Sequence, residues 1–191
     1  MKIRAVKGIR NAHYLENGAV DCEVLFEGET EFVPYTAMRD DSARTGRYIW
    51  RELQSGKWGE VAPFTVTPER IAAAKAAKKQ EIEAWRTEQE ALAFTFEWNG
   101  RTWNGGASSV SRLTPAVMTA KSESREETEW SDAENRRVKL SLQKLEELLT
   151  AMVQEQVIRN DEIYRRQREM KDELNNLEDL SSIRAMTISS S

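Results

Sequence analysis

The chain has 191 residues, 39% hydrophobic and 31% charged, with 28 Lys and Arg against 32 Asp and Glu for a net charge of −4. That length suits one or two small domains, and an apolar fraction below the usual ~45–50% favours a helix-rich, elongated chain over a compact globule. The acidic balance argues against nucleic acid as a ligand. A single cysteine, Cys22, excludes a disulfide framework or multi-cysteine zinc site, and a single histidine, His13, excludes any constellation that needs two.

The first 35 residues read as strands. Lys2 to Ile9 precedes a turn at Glu16-Asn17-Gly18, and Ala19 to Phe26 and Glu29 to Val33 flank Glu27-Gly28 as a hairpin. Val20, Cys22, Val24 and Phe26 share one face under a period of two, so one side of this sheet is expected to be wet. A short helix follows, with Tyr48, Ile49 and Leu53 as its apolar stripe, Asp40-Asp41-Ser42 as capping oxygens and Gly56 as its stop.

Thr67-Pro68-Glu69 is a helix start: Thr as cap, Pro at the first position, an acid in the first turn. The helix is expected from Pro68 to about Ala91, as a connector between two folded parts. Asn99-Gly100 then supplies the two positive-φ residues of a type I′ turn, with Phe94, Phe96 and Trp98 alternating before it, and Phe96 is expected opposite Trp103. A short helix from about Ser108 to Lys121 precedes a second hairpin, Thr128 to Trp130 with Arg137 to Leu140 around Asp132 to Asn135. Ser141 caps a last helix that could run to about Leu180, roughly 60 Å at 1.5 Å per residue, ahead of a frayed serine tail.

These readings define an α+β chain: an N-terminal β-rich domain over 1–65, a connecting helix over 66–93, a hairpin and short-helix unit over 94–141, and a long helix with a disordered tail over 142–191. The last helix carries an interrupted seam, Leu142, Leu145, Leu149, Met152, Gln156, Ile163, Met170, Leu174 and Leu177. Such a seam needs cover, either from the earlier helix or from further copies of itself, and on a helix too long for a small domain it is expected to mediate oligomerisation or partner binding, coiled-coil fashion, with Gln156 fixing register. Asp161 with Arg165 and Glu162 with Arg166 are expected as i,i+4 pairs on its outer face.

No catalytic constellation is written in the chain. His13 reads as an ordinary loop residue and Cys22 as a buried strand residue. Asp40-Asp41 read as capping groups and Asp132 to Asn135 as a turn. Gly105-Gly106 lacks the Lys and hydroxyl residue of a phosphate loop. Arg136-Arg137 and the arginines at 165, 166 and 168 are offset by nearby acids and read as solvated. Six tryptophans serve either as core for small β-units or as a stacking platform for sugars or bases. No metal, cofactor or membrane span is expected.

Trp98-Asn99-Gly100-Arg101-Thr102-Trp103, then Ser109-x-x-Arg112-Leu113, resembles the opening of an uncharacterised domain found in bacteriophage and prophage tail proteins. Trp130-Ser131-Asp132-Ala133-Glu134-Asn135-Arg136-Arg137-Val138-Lys139-Leu140-Ser141, followed by Leu145 and a long helix, is similar to its second signature, although Gly105-Gly106 departs from the polar, Asp-containing step of that pattern. The first part, with Val33-Pro34-Tyr35-Thr36-Ala37 and Trp58-Gly59-Glu60-Val61-Ala62-Pro63, is similar to N-terminal segments of tail fibre assembly and minor tail proteins. The resemblance implies a non-enzymatic tail structural protein or fibre-assembly chaperone. Its partners would be tail or tail fibre proteins and copies of itself, and its location the host cytoplasm during assembly or the virion tail. An adhesin module that contacts a host-surface sugar through tryptophan is the alternative.

Overall fold

A period of two makes Val20, Cys22, Val24 and Phe26 the inward face of a central strand. In the computed structural model, which describes residues 4–190, that strand is β2 (Val20–Phe26), antiparallel to β1 (Val6–Tyr14) on one side and β3 (Val33–Ala37) on the other. Two boundaries differ from the sequence reading. Asn11 takes a φ of 55°, and the register shift it marks between Arg10 and His13 lets β1 run on to Tyr14, so His13 lies on a strand and not in a loop. Of the expected first strand, Lys2 and Ile3 lie outside the described residues. The third strand starts only at Val33, opposite Val24, because residues 27–32 form a wide connection and not a tight hairpin. Pro34 is tolerated because β3 is an edge strand.

The inward face of this sheet packs on α1 (Arg44–Gln54), whose Ile49 and Leu53 join Ile9, Val20, Cys22, Val24, Phe26 and Ala37 in one core. No side chain of the cap residue Ala43 caps α1. Instead the Asp41 carboxylate accepts the Ala43 N–H at 2.7 Å, and a Cβ at Gly46 would fall 1.9 Å from an Asp41 oxygen, so only glycine fits there. The segment around Ala62 closes the far edge of β1: Tyr14 N–H donates to Ala62 O at 2.9 Å and Ala62 N–H to Ala12 O at 3.0 Å. These elements make up the first of two compact units, and the chain divides between Thr67 and Pro68.

The second unit opens with α2 (Pro68–Ala91). This helix is part of the unit and not a spacer between domains. It runs antiparallel to α4 (Leu142–Asn176): Lys75 Nζ donates to Asn175 O at 3.0 Å near one end, and Lys171 pairs with Glu83 at 2.5 Å further along. Next come the hairpin β4 (Thr95–Trp98) and β5 (Arg101–Asn104), α3 (Ala107–Ser122), and the hairpin β6 (Glu127–Ser131) and β7 (Arg137–Ser141). Asn99 at φ 50° and Gly100 at φ 71° form the tight turn, which sets Trp98 opposite Arg101 and Phe96 opposite Trp103. Ser141 Oγ accepts the Lys144 N–H at 3.2 Å and caps α4.

The fold is thus α+β: small antiparallel β-units, several helices and a long C-terminal helix of 35 residues, about 52 Å at 1.5 Å per residue. The long helix ends earlier than its pattern suggested. Leu177 terminates it, and α5 (Leu180–Ala185) turns back to pack on α2, burying Leu180 and Ile183 where a disordered tail was expected. The Asp179 carboxylate caps α5, accepting the Ser182 N–H at 2.9 Å and the Ser181 hydroxyl at 2.6 Å. Among the described residues, no helix is long and apolar enough to cross a membrane.

Candidate partner-binding surface

The seam proposed for partners turns inward. Leu145, Met152, Ile163, Met170 and Leu174 are buried, while Leu142, Leu149, Gln156 and Leu177 are half-buried. The first part of α4 spends its stripe on the hairpins and α3: Leu145, Leu148 and Met152 share a core with Phe96, Trp103, Leu113, Val117, Ala120 and Leu140. The last part faces α2, where Ala74, Ile82 and Trp85 are the buried residues, and α5 closes on the same helix. The physical reason is length matching. Two short groups of elements cover the helix in series, so a stripe too long for either is covered by both.

Between these groups the stripe becomes polar. Gln156, Arg159 and Asn160 sit half-buried where leucines would be expected, and Gln156 Nε2 donates to Asn160 Oδ1 at 2.8 Å. On the outer side of this stretch Val153, Val157 and Ile158 remain 40%, 53% and 54% exposed, and Leu92, just beyond the end of α2, is 44% exposed. Val153 and Val157 stand one turn apart on a common face, and Ile158 continues round the helix. This apolar patch carries no heptad signature, so sequence periodicity passed over it. The polar interruption after Met152 is the signal that could have located it.

The outer-face ion pairs also differ. Arg165 and Arg166 reach forward to Glu169, and Arg166 also reaches Glu173 at 3.0 Å, in place of the expected partners Asp161 and Glu162. Arg166 further donates to Ser189 O at 3.0 Å, which ties down the chain beyond α5.

A second region of interest is the Asp132 turn. Asp132 is fully buried and joins the two hairpins. Its carboxylate accepts the N–H groups of Glu134 and Arg136 at 3.0 and 2.9 Å, Arg136 Nε at 2.9 Å and Arg101 Nη1 at 3.2 Å, while Ala133 N–H donates across to Thr102 O at 2.9 Å. Burial pushes this carboxyl up. The Arg136 backbone and side chain and the Glu134 N–H outweigh that and hold it below the ordinary carboxylate range. So Arg136, whose side chain stays 55% exposed as a solvated cation's does, also has a structural role here. Beside this clasp lies a cleft of about 270 Å³ lined by Asn104, Ser109, Arg112, Glu129, Trp130 and Asn135, among others.

The remaining chemical groups are occupied structurally. Cys22 is buried and donates to Tyr35 O at 3.5 Å, and desolvation, helped by Asp21, pushes its thiol up to about 11. His13 is exposed, with Nδ1 3.2 Å from Asn11 O. Trp103 is buried with its Nε1 donating to Trp98 O at 2.9 Å, Trp85 is largely buried, and Trp50, Trp58, Trp98 and Trp130 are half-buried. Among the described residues no group of three His, Cys, Asp or Glu side chains is arranged to hold a metal ion.

No curated protein and no solved structure shows significant similarity to the chain. A family model does. It spans residues 73–187, more than half of the sequence, from the early turns of α2 through both hairpins and α4 to just past α5, and the chain therefore belongs to the family described as Domain of unknown function (DUF4376).

Proposed function

We propose that this is a non-enzymatic bacteriophage tail-associated protein, a structural component of the tail or a tail fibre assembly chaperone, that acts through protein–protein contacts. The observation that carries the contact role is the exposed Val153, Val157 and Ile158 on the middle of α4. A helix that otherwise spends its apolar side chains on its own domain keeps three of them outward within six residues, at the point where its internal partners change over. The tail context rests on the resemblance of the Trp98 to Trp103 and Trp130 to Ser141 signatures. Self-association, if it occurs, would use this outward patch and not the seam, and the chain would work in the host cytoplasm during assembly or in the virion tail. Quantitative mass spectrometry of purified particles, with affinity capture of the tagged chain from producing cells, tests the reading. Stoichiometric presence in particles supports a virion subunit. Absence from particles with a tail or fibre protein captured supports a chaperone. Absence from particles with no tail protein captured overturns the proposal.

The cleft beside Asp132 favours a second reading, a host-surface sugar adhesin. There a half-buried indole, Trp130, stands with Asn104, Asn135, Glu129 and Arg112, planar polar groups suited to hydroxyls around an apolar sugar face. Binding of bacterial-surface oligosaccharides that Trp130→Ala abolishes without loss of stability would favour this reading over the first.

A further inference from the structure

We propose that the cleft between α2 and the middle of α4 is a carboxylate-binding site built on Arg159, which takes a glutamate or aspartate side chain presented by a partner polypeptide. This holds for any partner and does not rest on the tail context.

The cleft encloses about 350 Å³, with Trp85 and Gln89 from α2 and Arg159, Glu162, Arg165 and Arg166 from α4 among its walls. Its three arginines are not equivalent. Arg166 is spent on Glu173, Glu169 and the Ser189 carbonyl, and Arg165 leans towards Glu169 at 3.9 Å. Arg159 forms no hydrogen bond or ion pair among the described residues. Its Nε is shut off from solvent without a partner, and its guanidinium carbon lies 5.3 Å from the centre of the Phe94 ring. This cation–π contact leaves the guanidinium donors unspent, and their planar fork matches a two-oxygen acceptor. One turn earlier, Gln156 Oε1 is likewise buried without a partner. The helix therefore carries an unsatisfied acceptor and an unsatisfied donor on successive turns.

Charge selects the anion. Glu169 and Glu173 compensate Arg165 and Arg166, so Arg159 is the one unspent guanidinium of the cleft, and the Glu162 carboxylate on the same wall brings the sum of these charges to zero. A carboxylate adds one negative charge to that wall and engages the Arg159 donors, whereas a dianionic phosphate adds two beside Glu162 with no second cation to offset them. A polypeptide source follows from the neighbouring surface. Val153, Val157 and Ile158 are exposed on the turns just before Arg159 and offer apolar contact to residues that flank an acidic side chain.

The test is NMR of the full chain, following the Nε–Hε resonance of Arg159, assigned with Arg159→Lys. The probes are a short capped peptide of alternating leucine and glutamate, sodium acetate, and inorganic phosphate, all at constant ionic strength. The peptide is expected to shift the resonance saturably, with acetate weaker and in the same direction. Arg159→Gln and Arg159→Lys should each weaken peptide binding about tenfold or more, as loss of hydrogen bonds to a charged group implies, with the melting temperature unchanged. Lack of saturation by the peptide, equal peptide affinity in Arg159→Gln, or phosphate binding tighter than carboxylate would each overturn the proposal. If Arg159→Gln fails to fold, the wild-type titrations and Arg159→Lys still decide it.

Discussion

Trp103→Ala is the sharpest test of how the second unit is held together. Trp103 is 1% exposed, faces Phe96 across the hairpin, meets the Trp98 ring edge-on at 6.0 Å and donates its indole N–H to Trp98 O. Around it lie Leu113, Val117, Leu145 and Leu148, so the indole joins hairpin, α3 and α4 in one core. A buried tryptophan covers about 150–250 Å², worth roughly 4–6 kcal/mol at 25 cal/mol per Å², and measured costs of aromatic-to-alanine changes in cores are about 3–5 kcal/mol. For a unit of this size that is a fall in Tm on the order of 10–20 °C. Trp103→Phe, which keeps most of the volume and loses the N–H bond, should fall by much less. Differential scanning calorimetry with near-ultraviolet circular dichroism reads both. A Trp103→Ala protein that melts within about 3 °C of wild type would refute the packing account and move weight to a ligand-stacking role for the aromatics.

Asp132→Asn should lower Tm by several degrees near neutral pH, because it removes a buried charged acceptor from two guanidinium groups and leaves Arg136 only its pair with Glu134; an unchanged Tm would count against the clasp. Asp179, held down to about 2 by the Ser181 hydroxyl and the Ser182 backbone and side chain, stabilises the α5 cap fully above the unfolded value of 3.8, and that contribution is lost as pH falls towards 2. Carboxyl-carbon NMR should place its midpoint near 2, and a midpoint near 3.8 would contradict the cap. Cys22, with its thiol pushed up to about 11, should resist disulfide-exchange reagents at pH 8 in the folded chain and react at once on unfolding; rapid labelling of the native protein would refute its burial.

Much of the fold was legible where backbone chemistry is local. Pro68 at the first helical position, Asn99-Gly100 with positive φ at both residues, and Ser141 as a cap each act through their immediate neighbours, so their consequences could be read directly. The third strand was misplaced because Glu27-Gly28 has the composition of a tight turn, and only the pairing of Val24 with Val33 reveals the longer connection. The seam on α4 was read at the correct positions, and of its two expected covers the earlier helix, α2, packs on it. Periodicity reports that a stripe needs cover, not what covers it, and here the hairpins, α3 and α2 do so in succession. The Arg159 cleft depends on which arginines find acids, and the i,i+4 rule pairs Arg165 and Arg166 with the wrong neighbours. Asp132 looked like an ordinary turn residue because its two guanidinium partners lie 31 positions upstream and four downstream.

In the proposed role the chain meets its partner through the outward middle of α4, while the apolar seam serves its own fold. Capture of tail or tail fibre proteins by the full-length chain, compared with a Val153→Glu/Val157→Glu variant of unchanged melting temperature, tests this most directly. The account predicts that the wild type retains a tail protein and that the variant loses it. Undiminished capture by the variant would contradict it.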